Sequence, residues 1–203
     1  MEYFFYCRDR AGAGEARRAL LKAHWAFMEA HIPAMIARGP TMAADGRGVT
    51  GSMHIVELAD AAAARSFAHD DPLAQGGVFD EIRIHCFRNE SGRTMWQYGG
   101  DARNPRFLFI GEAPAGAPDE LPAAQRNYFA DAVRAPRVIV RGPLLDEHGG
   151  RWIGSVLLLE TPDVATAQAI VRGDPAAGRY ARSELLPWRF GGAENLRDLL
   201  AHP

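Results

Sequence analysis

Two residues of this 203-residue chain, His24 and Asp71, have side chains suited to acid–base chemistry. Imidazole titrates near ~6.5 and can take or give a proton at neutral pH. A carboxylate that orients an imidazole fixes which ring nitrogen moves the proton. Asp71 stands in SFAHDDPLAQGG (66–77), where Asp70 and Asp71 crowd the C-terminal end of an Ala-rich helix. Carboxylates there meet the negative end of the helix dipole and call for a compensating cation or proton. A protonated His24 would supply one. Asp71-Pro72 also has a purely structural reading, because Asp at i with Pro at i+1 opens a turn. His24 has one too: it lies on the line Leu20, His24, Phe27, His31, at the edge of the helix's apolar stripe, where a ring can cap the core.

Four further residues are candidates for substrate contacts. Arg38, in Arg38-Gly39-Pro40, suits an anionic group because guanidinium forks onto carboxylates. The alternative is a surface arginine beside Gly-Pro punctuation. Ser52 can donate a hydrogen bond into a pocket, but it has no nearby base to make it a nucleophile. His54 lies in an apolar strand. Trp96 sits with Tyr98 in NESGRTMWQYGGDARN (89–104), where a plain spacer would be polar, so both are expected to pack on something. No HxxxH, HxH or CxxC pair is present, and no metal site is expected. There is no phosphate-loop, nucleophile-elbow or dinucleotide fingerprint, and no cofactor is expected.

Composition narrows the partners. The chain is 47% apolar and 24% charged, with a net charge of −2. Its signs are mixed and it has no basic run, which points away from nucleic acid. No apolar run approaches the ~18 residues of a membrane helix. Cys7 and Cys86 are too few for a disulfide framework. The expectation is a cytoplasmic protein with free thiols and a small-molecule ligand.

The elements that must position these residues occur twice. Arg38-Gly39-Pro40 returns as Arg141-Gly142-Pro143, and Gly51-Ser52 as Gly154-Ser155. Asp60 returns as Asp163, and Asp71-Pro72 as Asp174-Pro175, all at one offset of 103. A constant offset over that span marks a duplicated unit. EYFFYC reads as a strand, residues 15–32 as a helix with Leu21, Trp25, Met28 and Ile32 inward, and AMIARGP with GSMHIVEL as a hairpin. Asp60 is an N-cap for AAAARSFAH, and VFDEIRIHCF is the last strand. The order β-α-β-β-α-β is the ferredoxin-like motif. We expect repeats over 1–88 and 105–191, a linker at 89–104 and a tail at 192–203. The strands FF (4–5), FLFI (107–110) and VLLL (156–159) are apolar on both faces. One face suits the unit's own helices and the other suits a second sheet. The fold class expected is therefore α+β, two tandem ferredoxin-like units forming a pseudo-dimer within one chain. Exposed sheet edges leave a further homodimer open.

The copies differ where the chemistry would sit. At the offset of 103, His24 becomes Asn127, Gly77 becomes Tyr180 and His54 becomes Leu157. An amide cannot relay a proton, so only the first copy would do acid–base work.

KAHWAFMEAH, ARGPTM, GSMHIVEL and DPLAQGGVFDEIRIHCF, in that order, resemble the YCII-related (YciI-like) family. The resemblance is closer over 1–88 than over 104–191. It implies a ferredoxin-like fold of the dimeric α+β barrel type, here made by a tandem chain. It also implies a catalytic pair of His24 and Asp71, with a degenerate second copy. The function expected is a small cofactor-independent enzyme of the isomerase or lyase kind, acting on a small, cyclic or aromatic molecule. The alternative is a non-catalytic binding or assembly protein on the same scaffold.

Overall fold

The computed structural model describes residues 1–117 and 123–192. The tail expected at 192–203 lies outside the described residues from 193 onward. The chain divides into two compact units, one of residues 1–84 together with the segment from Arg189, the other of residues 85–188.

The first unit holds β1 (Glu2–Asp9), α1 (Gly14–Ala30), β2 (Met35–Met42), β3 (Val49–Glu57), α2 (Ala61–Asp70), the short α3 (Pro72–Gln75) and most of β4 (Phe79–Phe87). β3 pairs antiparallel with both β1 and β2, placing Cys7 opposite Ser52 and Arg38 opposite His54. The Arg10 N–H donates to the Val78 carbonyl at 2.8 Å, which sets the start of β4 beside the end of β1.

The second unit holds β5 (Arg106–Glu112), α4 (Ala123–Ala130), β6 (Val138–Leu145), β7 (Trp152–Glu160), α5 (Val164–Gly173) and β8 (Arg182–Trp188). β5 lies between β7 and β8, and β7 pairs with β6, all antiparallel. Gly111 stands opposite Ser155.

Local chemistry explains most element boundaries. Asp60 accepts from the Ala63 N–H at 2.8 Å and Asp163 from the Thr166 N–H at 2.7 Å, so each caps its helix as an N-terminal aspartate should. The Gly-Ser recurrence has a steric cause. A Cβ on Gly51 would stand 2.4 Å from the Cys7 carbonyl oxygen, and one on Gly154 would stand 2.2 Å from that of Gly111. No side chain fits where these strands cross so closely. Phe4, Phe5, Ile55, Leu108 and Leu158 are buried to 0% exposure. Each such side chain contributes about 1.5–3 kcal/mol on leaving water.

Helix α1 departs from expectation. It spans Gly14–Ala30, and its buried residues are Arg17, His24 and Met28. Leu21 and Trp25 are half-buried, and Ile32 falls in the following 3-10 turn. The periodicity was right and the phase was rotated: the inward line carries an arginine and a histidine.

The segment after β8 returns to the first unit. Arg189 donates its N–H to the Pro40 carbonyl at 3.2 Å, and Gly191 donates to that of Arg38 at 3.0 Å. Within the second unit, the Tyr98 hydroxyl donates to the Pro136 carbonyl at 2.9 Å, so this residue of the 89–104 stretch does pack.

Candidate functional site

His24 sits midway along α1 at 7% exposure, and its Nδ1 lies 2.8 Å from Asp71 Oδ1. Asp71 joins α2 to α3, at 3% exposure. The same Oδ1 accepts the Leu73 N–H at 2.9 Å, with Pro72 as the first residue of α3. The turn and the contact with His24 therefore coexist on one carboxylate oxygen. The aspartate opens a helical turn, and the turn aims its carboxylate at His24. An Nδ1–H donated to Asp71 leaves Nε2 as the basic nitrogen. Nε2 makes no hydrogen bond with the described residues.

His24 lines a cavity of about 120 Å³. Apolar walls come from Leu21, Trp25, Met28, Pro40 and Val49. Polar groups come from Arg17, Arg38, Ser52 and His54, and the returning Phe190–Gly192 segment closes one side. A dry cavity of ~150 Å³ accepts benzene, so the space matches about one six-membered ring.

Arg38, Ser52 and His54 all line this cavity. Arg38 is no surface charge: it is 5% exposed, its Nη2 donates to Glu29 at 2.7 Å and its Nε to the Gly191 carbonyl at 3.1 Å. The His54 ring centre lies 5.8 Å from that of His24. Trp96 does not pack as expected: it sits in a 3-10 turn (Met95–Gln97) and is 42% exposed. The stretch is fastened through Tyr98, which leaves the indole on the surface.

Burial and partners set the protonation states. Burial pushes the Asp71 carboxyl up, but the His24 hydrogen bond and charge, with the Leu73 N–H, hold it below the usual carboxylate range. Burial, then the neighbouring His24, lowers His54 to about 3, so this ring is neutral. Burial, then Asp71, raises the Cys7 thiol, which makes it no thiolate nucleophile at neutral pH.

Arg17 is the residue that the sequence reading missed. It is 7% exposed and lines the cavity one buried position from His24. Its Nε pairs with Asp9 at 3.3 Å, and its Nη2 donates to Ser52 Oγ at 2.5 Å and to the Gly51 carbonyl at 3.2 Å. Burial presses both ends of the ion pair toward neutrality, raising Asp9 to about 6 and lowering Arg17. The guanidinium starts high enough to stay charged. A signal existed: Arg17 and His24 are i and i+7 on one helix face.

The second unit corrects the expected counterpart of His24. Asn127 is exposed. The group that meets Asp174 is Gln125, 2% exposed, whose Nε2 donates to Asp174 Oδ2 at 2.6 Å. The offset of 103 holds along β2 and β3, but the helix position is displaced by two residues. Asp174 Oδ1 still accepts the Ala176 N–H at 2.9 Å, so the turn role is kept. The Tyr180 hydroxyl lies 3.4 Å from Asp174 Oδ2, and its ring covers Gly111, where a Cβ would stand 2.7 Å away. Burial here outweighs the Ala176, Gln125 and Tyr180 hydrogen bonds, and the Asp174 carboxyl is raised.

The described residues contain no helix long and apolar enough to cross a membrane and no cluster of metal-binding side chains. None of the curated proteins matches the sequence. Among solved structures, the chain is similar to 5-chloro-2-hydroxyhydroquinone dehydrochlorinase from Burkholderia phenoliruptrix AC1100, at 27% identity over 46% of this chain and 99% of that one, with a TM-score of 0.43. It is similar to an anthrone oxidase-like protein at 13% identity over 94% and 90%, with a TM-score of 0.58. A mutant chlorite dismutase from Candidatus Nitrospira defluvii matches at 9% identity over 99% and 96%, with a TM-score of 0.61. The neighbours are dimeric α+β barrel proteins, and at 9% and 13% identity the likeness is one of fold. The family model that matches is that of the YCII-related domain, over residues 1–88. Over these residues the chain is similar to the YCII-related domain.

Proposed function

We propose that the first unit is a proton-transfer enzyme in which His24 is the general acid–base and Asp71 its orienting partner. The observation that carries this reading is the 2.8 Å contact between His24 Nδ1 and Asp71 Oδ1 at the wall of a cavity. Nε2 takes a proton from an acidic C–H or O–H of the ligand, and Asp71 stabilises the imidazolium that forms. The released electron pair shifts a double bond or expels a leaving group. Isomerase or lyase chemistry of this kind moves protons without a redox cofactor. The cavity volume supports a substrate of about one ring, with Arg38, Ser52 and His54 as contacts. The second unit is read as a diverged copy that keeps the turn aspartate but no imidazole. Strands apolar on both faces support a pseudo-dimer within the chain, and a cytoplasmic setting belongs to the same reading.

The test is solvent exchange. The protein is incubated in D2O with a panel of one-ring enols, lactones and cyclic acids, and deuterium uptake is followed by NMR. Uptake by the wild type that is lost in His24→Gln is expected. Equal uptake in both proteins, or none with any ligand that binds, would overturn the reading. The second reading is a binding module, favoured by the Gln125–Asp174 contact, which shows this fold keeping the aspartate without a proton relay.

A further inference from the structure

We infer that Arg17 is an anion-holding residue of the same cavity, and that its ligand is a small one-ring organic anion. The inference rests on the ligand cavity proposed above and not on proton transfer at His24. Arg17 is more than nine-tenths buried, and it lines the cavity. Two of its nitrogens are spoken for, Nε by Asp9 and Nη2 by Ser52 and the Gly51 carbonyl. Nη1 is buried with no hydrogen-bond partner. A buried N–H without an acceptor leaves its desolvation cost unrecovered, and a charged one more so. An acceptor arriving with the ligand removes that cost.

An anion fits better than a neutral acceptor. Most of the cavity wall is apolar, and the other buried cation of the cavity, Arg38, already has Glu29 and the Gly191 carbonyl. Guanidinium presents its N–H groups as a planar fork that suits a carboxylate, enolate or phenolate oxygen. The cavity volume limits the rest of the ligand to about one ring. Arg17 thereby fixes orientation: the anionic oxygen lies at the Ser52 end of α1, and the ring extends toward Trp25 and Met28. In the second unit the serine that matches Ser52 accepts instead from an indole, Trp152 Nε1 to Ser155 Oγ at 3.3 Å. That unit has an aromatic side chain where the first has a cation.

The probes are benzoate and its neutral analogue benzamide, titrated into the full chain by NMR. The wild type is expected to prefer benzoate by about tenfold or more, the ratio that one charge-assisted hydrogen bond supplies. The Arg17 Nε–Hε resonance is expected to shift with benzoate and not with benzamide. Arg17→Gln is expected to reduce the preference to within about twofold, and His24→Gln to leave it intact. Where Arg17→Gln loses its fold, Asp9→Asn/Arg17→Gln removes both charges together, and the wild-type resonance needs no variant. An unmoved Arg17 resonance, or no benzoate preference in the wild type, would overturn the inference and assign Nη1 to a buried water. A benzoate preference without deuterium exchange on any ligand would sink the proton-transfer reading alone.

Discussion

In the first unit the turn aspartate meets an imidazole; in the second it meets a carboxamide and a phenol. The turn itself is the same in both, with the aspartate accepting an N–H two residues on. What differs is the partner, and the partner decides the charge. His24 can carry a proton, so it holds Asp71 ionised. Gln125 and Tyr180 stay neutral, so burial prevails and Asp174 is raised. Space differs as well. Gly77 and Val49 lie at the positions of Tyr180 and Trp152, and those aromatic rings pack together in the second unit, with centres 6.0 Å apart. The second unit therefore keeps the turn aspartate while aromatic rings fill the space beside it.

The largest expected break in this comparison comes from His24→Gln, which puts the second unit's partner into the first. It should lower the rate of any reaction found by about 10²–10⁴-fold. The converse, Gln125→His, should create no activity, because Tyr180 still covers the site. Activity from that variant would show that the imidazole alone separates the units.

Next in size is Tyr180→Ala, expected to destabilise by about 2–4 kcal/mol in urea titrations, because the ring fills space beside Phe109 and Gly111. A loss under ~0.5 kcal/mol would mean that the ring fills nothing. Asp71→Asn should cost about 1.5–3 kcal/mol at pH 7, since it removes a charge-assisted hydrogen bond. Asp174→Asn should cost less than about 1 kcal/mol, because its neighbours already favour the neutral form. Equal costs would contradict the assignment of opposite shifts.

Acid titration separates the groups by sign. Asp71, depressed in the folded state, stabilises above ~3.9 and loses that contribution as pH falls through its folded value. Asp174, raised in the folded state, does the reverse: its contribution worsens as pH climbs from ~3.9 through its folded value. His54, at about 3 in the folded protein, withholds a proton that the unfolded chain binds below ~6.5. It therefore costs stability as pH falls from ~6.5 toward 3. His54→Leu, which installs the residue of the second unit, should flatten this stretch of the stability profile. An unchanged slope would show that the ring titrates normally. Smallest of all, Asn127→Ala should move stability by less than about 0.5 kcal/mol, as expected of an exposed side chain. A larger loss would restore Asn127 as the counterpart of His24.

The sequence by itself determined the elements, because their signals are local. Alternation, Asp caps, the Asp-Pro turn and the Gly-Ser crossing each act over a few residues, and the boundaries they imply fall within about two residues of those observed. It also held both halves of the candidate pair, since comparison of the two copies set His24 against Asn127 and Asp71 lies in the recurring Asp-Pro turn. Tertiary structure decided which residues face each other. A fixed offset predicts partners only while the intervening loops keep equal length. The first strands and first helices of the two units drift apart, and so Gln125 rather than Asn127 reaches Asp174. Arg17 reads as a solvent-facing charge until Asp9, Ser52 and the Gly51 carbonyl surround it from β1 and β3. The wall made by Phe190–Gly192 comes from the far end of the described chain, and only long-range strand pairing brings it to β2.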